Sequence, residues 1–266
     1  MATDINLLKQ LREATFAPLK DCKDALVQAD GDLEKAKEVL KEKGILKAGK
    51  KSDRETNEGI VKGLQENDKI AGVKLLCETD FVAKNEDFQA LADKILAKII
   101  SQDSVFESKE DAPEDLVANI DEMVKEAVGS LGENMQLADV ICTKDTGFVY
   151  NHPGNKVASI VYYSGEDSDI AKEIALQVAA MNPIYLDFDS VPSDIVSKME
   201  QDFRQELIES GKPENMIDQI LKGKLSKALA EDVLLEQEYI RDGSKKIKNI
   251  IPEGFTVKSY RRLSVK

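Results

Sequence analysis

Residue types able to do covalent or acid–base chemistry are few in this sequence, and they are badly spaced for it. The only histidine is His152, beside Pro153-Gly154. A hydrolase needs a nucleophile, a base and a group that orients the base. No such partners flank His152, so it reads as a surface contact at a strand end. Cys22, Cys77 and Cys142 are widely separated and lack the paired spacing of a zinc site or a disulfide framework. The 50 acidic residues spread along helix faces as solvated charge. No glycine-rich dinucleotide fingerprint occurs. Residues 44–51, Gly-Ile-Leu-Lys-Ala-Gly-Lys-Lys, have the outline of a phosphate-binding loop. However, Lys51 stands where Ser or Thr must reach magnesium, and a helix precedes the stretch where a strand is required. The expectation is no enzyme, no cofactor, no metal and no direct nucleotide binding.

What remains is an acid and an aromatic in a joint. Residues 77–85, Cys-Glu-Thr-Asp-Phe-Val-Ala-Lys-Asn, follow an apolar run at 73–77 and precede a periodic helix over 86–100. Asp80 and Phe81 are needed by neither element. One reading buries Phe81 as a staple at the helix start, with Asp80 favouring the helix N-terminus. The other exposes Phe81 to fill a pocket on a partner. A second strand-then-helix unit covers 157–163 and 167–181, and its joint is the plain turn Ser164-Gly165-Glu166-Asp167. The architecture thus closes without an aromatic, which favours the exposed reading.

The elements that hold this joint can be read along the chain. Its length of 266 residues suggests two units. The net charge of −13 disfavours nucleic acid and anionic membranes, and permits docking to a basic protein face. No apolar run is long enough to span a bilayer. Met1-Ala2-Thr3-Asp4 has neither a basic start nor an apolar signal core, so a soluble, cytoplasmic chain is expected.

Residues 1–44 read as three short helices, a partner-docking module. Pro18 opens the second helix, Asp32 caps the third, and Gly44 is its expected C-terminal cap. Residues 45–57 read as a linker. Residues 58–142 form a first core subdomain, with strands at 59–64 and 70–77, helices around 86–100 and Leu116–Ala127, and a strand opened by Gly132-Glu133-Asn134. Residues 143–266 form a second, with strands at 148–152 and 156–163, and a helix ended by Pro183. A helical hairpin follows at 193–230, with Ser193 as cap and Pro213 in the first turn of its second helix. A short basic segment, 245–248, precedes a last strand over 255–265.

The joint resembles the central signature of the translation elongation factor Ts family, Thr79-Asp80-Phe81-Val82-Ala83-Lys84. Leu11-Arg12-Glu13-Ala14-Thr15 with Asp21-Cys22-Lys23-Asp24-Ala25-Leu26 is similar to its N-terminal signature. Gly132-Glu133-Asn134 and His152-Pro153-Gly154 also fall where that family has similar segments. The resemblance covers nearly the whole chain. It departs at Phe16-Ala17-Pro18, where glycines are usual, and at Lys74 and Leu76.

The resemblance implies an α+β fold: an N-terminal three-helix UBA-like module, a duplicated α+β core with antiparallel strands, and a protruding antiparallel helical hairpin. It implies a guanine-nucleotide exchange factor acting on elongation factor Tu, in its GDP-bound and nucleotide-free forms. In that family an Asp-Phe tip enters between two helices of the GTPase and disturbs its magnesium and phosphate site. Carried over, Phe81 is the wedge, Asp80 the electrostatic part, and Thr79 and Val82 hold the tip. Leu19, Asp21 and Lys23 belong to the docking face, and His152 lies near a second contact. Self-association through the hairpin and contact of the hairpin with the GTPase both stay open. The alternative from another class is a structural adaptor that binds without accelerating exchange.

Overall fold

Alternation in the first core segment becomes a three-stranded antiparallel sheet. The computed structural model describes residues 4–15 and 17–266, and the side chains of all of these except 45–47, 214 and 215. Phe16 therefore lies outside the described residues. Three helices come first: α1 (Ile5–Thr15), α2 (Leu19–Gln28) and α3 (Leu33–Gly49). Leu11, Cys22, Ala25, Leu26 and Ala36 form their shared core. Asp32 caps α3 by accepting from the N–H groups of Glu34 and Lys35. Ile5, at the start of α1, is exposed.

Gly44 does not end α3. The helix runs on to Gly49, so the first part of the expected linker is helical. The reason is tertiary: Gly44 packs against α6 (Glu114–Leu131), where a Cβ on Gly129 would stand 2.5 Å from the Gly44 Cα. Lys41 adds ion pairs to Glu122 and Glu126 at 3.1 and 3.2 Å. Packing of this kind overrides the weak tendency of an interior glycine to stop a helix.

Strands β1 (Glu58–Glu66), β2 (Lys69–Cys77) and β3 (Met135–Lys144) form one sheet in that order. Between β2 and α5 (Glu86–Ile100) the chain makes an extra helical turn, α4 (Asp80–Ala83), where the sequence suggested only a joint. The stripe Phe88, Leu91, Ala92, Ile95 and Ile99 of α5 is buried against this sheet and α6.

A second sheet has the order β4-β5-β8, from β4 (Gly147–Asn151), β5 (Val157–Ser164) and β8 (Thr256–Ser264). Helix α7 (Ser168–Met181) starts at its cap Asp167, directly after the turn that leaves β5. Helices α8 (Ser193–Glu209) and α9 (Glu214–Leu229) pack on each other through Leu207, Ile217, Leu221 and Leu225. Pro192, not Ser193, occupies the cap of α8, and Pro213 occupies the cap of α9 just before its first turn. Proline at a helix boundary costs nothing there, because the N–H it lacks would have no partner. The basic stretch 245–248 closes a two-stranded ribbon, β6 (Glu238–Tyr239) and β7 (Asp242–Lys246), and enters α10 (Ile247–Ile250).

Two compact units result. The first holds the chain through Asp145 together with 151–158 and 263–266; the second holds 146–150 and 159–262. Ile60, Val73, Leu75, Phe88 and Ile120 centre the core of the first, and Val161, Ile174, Val178 and Leu234 that of the second.

Candidate functional site: an outward aromatic on an anchored turn

Helix α4 is one turn long, so its direction depends on what holds it. Val82 and Ala83 point into the core of the first unit, and Phe81 points the other way, 81% exposed. Of the two readings of the joint, the geometry is the exposed one. Exposure alone is ordinary for a single apolar side chain; what sets Phe81 apart is the anchored turn that carries it.

Thr79 caps the turn: its Oγ1 accepts from the Val82 N–H at 3.4 Å. The same hydroxyl donates to Glu133 Oε1 at 2.6 Å, and the Thr79 N–H donates to Glu133 Oε2 at 3.0 Å. One residue back, Glu78 Oε1 accepts from the Asn134 N–H at 2.6 Å and faces Arg54 at 3.3 Å. That N–H is the main reason the Glu78 carboxyl sits below its ordinary range, with the Arg54 charge assisting. Asn134, itself buried, donates through Nδ2 to the Arg54 carbonyl at 2.7 Å. Lys51 Nζ bonds the carbonyl of Gly132, which closes α6 in the left-handed conformation at φ 85°.

The far end of α4 is held as well. Gln89 Nε2 donates to the Ala83 carbonyl at 2.6 Å, and Asn155 Nδ2 donates to Gln89 Oε1 at 2.8 Å. Asn155 belongs to the turn after β4 that contains His152. Asn151 docks that turn on β1 through two bonds with Gly63 at 2.7 and 2.9 Å. His152 itself is exposed, directly after the end of β4, and falls in the first unit.

Asp80 stays on the surface. It pairs with Lys84 at 2.7 Å, and that hydrogen bond holds its carboxyl below the usual range. The tip therefore presents a bare ring beside a compensated acid. Leu19 (55% exposed) and Lys23 face solvent on α2, and Asp21 pairs with Lys43 at 3.0 Å. Among the described residues no group of His, Cys, Asp and Glu could hold a metal ion, and no helix is long and apolar enough to cross a membrane.

Sequence reasoning had not singled out Glu78, Gln89, Glu133, Asn134 or Asn155 as site residues. The usable signal was Gly132-Glu133-Asn134: a helix-ending glycine followed by two polar residues just before a buried strand. Only the pairing of that strand with β2 says what they meet.

The geometry is thus an exposed ring on a short turn anchored at both ends. A family model described as Elongation factor TS matches residues 78–266. Elongation factor Ts of Hydrogenobaculum sp. is 38% identical over 273 residues, covering 100% of this chain and 99% of that protein. The Aquifex aeolicus protein of the same name is 35% identical, covering 96% of this chain and 93% of its own length. Elongation factor Ts of Clostridium botulinum (strain Eklund 17B) is 41% identical over 92% of this chain and 85% of its own. The chain belongs to the elongation factor Ts family.

Proposed function

We propose that this chain is a guanine-nucleotide exchange factor of translation elongation that frees GDP from elongation factor Tu by inserting Asp80 and Phe81. The observation that carries the reading is the bare Phe81 ring on a turn whose other side chains are buried or anchored. A wedge needs a rigid mount, because a side chain that yields cannot displace packed groups. Phe81 enters between helices of the GTPase, Asp80 disturbs the magnesium and phosphate site, and Thr79 and Val82 hold the tip. Leu19, Asp21 and Lys23 lie on the docking face of the N-terminal helices, a UBA-like module over residues 1–44. His152 makes a further contact, and the hairpin 193–230 supplies either a self-association arm or another contact. The site of action is the cytoplasm.

The mechanism needs no catalytic residue. The factor must bind the nucleotide-free GTPase more tightly than the GDP-bound form. It then weakens GDP by the same ratio by which GDP weakens it. A factor that bound both states equally would shift nothing.

The test is release of fluorescent GDP from purified elongation factor Tu, with the chain absent, present, or carrying Phe81→Ala. Acceleration by the native chain, mostly lost in the variant, is the expected result. Binding without acceleration would leave the adaptor reading. Equal acceleration by both forms would keep exchange and remove Phe81 as the wedge.

A further inference from the structure

The end of β2 carries an arrangement that neither the fold nor the docking of the tip requires. In the antiparallel register Cys77 stands opposite Met135, where the β2–β3 ladder ends. Carried one and two residues further, Glu78 falls beside Asn134 and Thr79 beside Glu133. The main chains have begun to part here, because the chain must leave the sheet to form α4. Side-chain carboxylates take the place of the missing carbonyl acceptors, and they do so reciprocally. Glu133 accepts the Thr79 N–H at 3.0 Å, and Glu78 accepts the Asn134 N–H at 2.6 Å. The second carboxylate oxygen of Glu133 takes the Thr79 hydroxyl proton at 2.6 Å. That turns a hydroxyl lone pair toward the Val82 N–H, the bond that starts α4. An ionised carboxylate is an acceptor with two oxygens, so it can serve both Thr79 donors at once.

We infer that Glu133 is a positioning residue for exchange. It locks Thr79, and through Thr79 the angle of α4 and Phe81, so that contact with the GTPase becomes displacement. The inference rests on the exchange reading and adds to it a residue 54 positions from Thr79 in the chain. Glu133 touches neither nucleotide nor tip ring. Without its carboxylate the Thr79 hinge has two donors to satisfy elsewhere, and the turn can rock about the end of β2. Docking through other surfaces is then retained while the push is lost.

The chain contains no tryptophan. Phe81→Trp therefore places a single indole on the tip, whose time-resolved anisotropy reports tip motion without any GTPase present. In that background Glu133→Ala is expected to add a fast, large-amplitude depolarisation, and Thr79→Ser, which keeps the hydroxyl, is not. In stopped-flow GDP release, Glu133→Ala is expected to lower the maximal rate roughly tenfold, as misplaced working groups do. The half-saturating concentration should change less than about twofold. Added to Phe81→Ala, Glu133→Ala should cost far less than it does alone, because both act through the placement of the same turn. Should Glu133→Ala unfold by circular dichroism, the near-isosteric Glu133→Gln serves in both assays. Unchanged anisotropy, or an undiminished maximal rate with loss only in half-saturation, would overturn the inference. Failure of the native chain to accelerate release would instead overturn the exchange reading. Glu133 as the lock on the tip would then be judged by anisotropy alone.

Discussion

Gly129 faces the main chain of Gly44 where α3 crosses α6, with no room for a methyl group on Gly129: a Cβ there would lie 2.5 Å from the Gly44 Cα. Main chain cannot yield as a flexible side chain does, so the two helices would have to separate. Gly129→Ala is expected to destabilise the chain by about 1–3 kcal/mol, the usual cost of overpacking, despite the better helix propensity of alanine. Gly223, in α9, has nothing within 4 Å of its would-be Cβ. Gly223→Ala should therefore stabilise by roughly 0.5–1 kcal/mol. Urea denaturation of the two variants should give opposite shifts in midpoint from one and the same chemical change.

Phe81→Ala should separate function from stability. The ring is 81% exposed and belongs to no core cluster, so its removal is expected to change stability by less than about 0.5 kcal/mol. Exchange should fall while the thermal midpoint stays in place. A large loss of stability would mean that the ring packs inward in solution.

Acid should loosen the root of the tip. The Glu78 carboxyl is held below its ordinary 4.5, first by the Asn134 N–H, against the opposing effect of burial, with Arg54 assisting. A carboxyl depressed by folding contributes stability above its unfolded pKa and loses it as pH falls through the lower folded value. At pH 7 Glu78→Gln is expected to be less stable than the native chain. The gap should begin to close as pH drops below about 4.5 and vanish once the native carboxyl is protonated. Urea midpoints measured from pH 7 down to pH 3 give both curves.

The cysteines should be silent in the folded chain. Cys22, Cys77 and Cys142 are all buried. Burial, with the Glu133 charge adding to it, pushes the Cys77 thiol up to about 12, and burial raises the other two. Thiolate is the reactive form, so a disulfide reagent at pH 8 is expected to label none of them at an appreciable rate. After denaturation it should label three. Labelling of Cys77 alone without denaturant would show that the root of the tip opens.

Local pattern alone determined much of this protein. The stripe of α5 and its limits, the cap at Asp32 and the plain turn after β5 all follow from neighbours in sequence. So does the presence of an aromatic and an acid in a joint that needs neither. The order and types of these signatures were also enough for the family. What local pattern could not supply was any relation set by strand register or helix crossing. Phe81 faces outward because Val82 and Ala83 take the inner side of α4, a choice open to either face until the core is assembled. Gly44 looks like a helix end until α6 lies across it. Glu133 looks like one more surface acid until β3 pairs with β2 and sets it beside Thr79. Hydrophobic period and capping act over a few residues and are written in the chain, whereas the pairing that locks the tip joins residues far apart and exists only once both strands are in place.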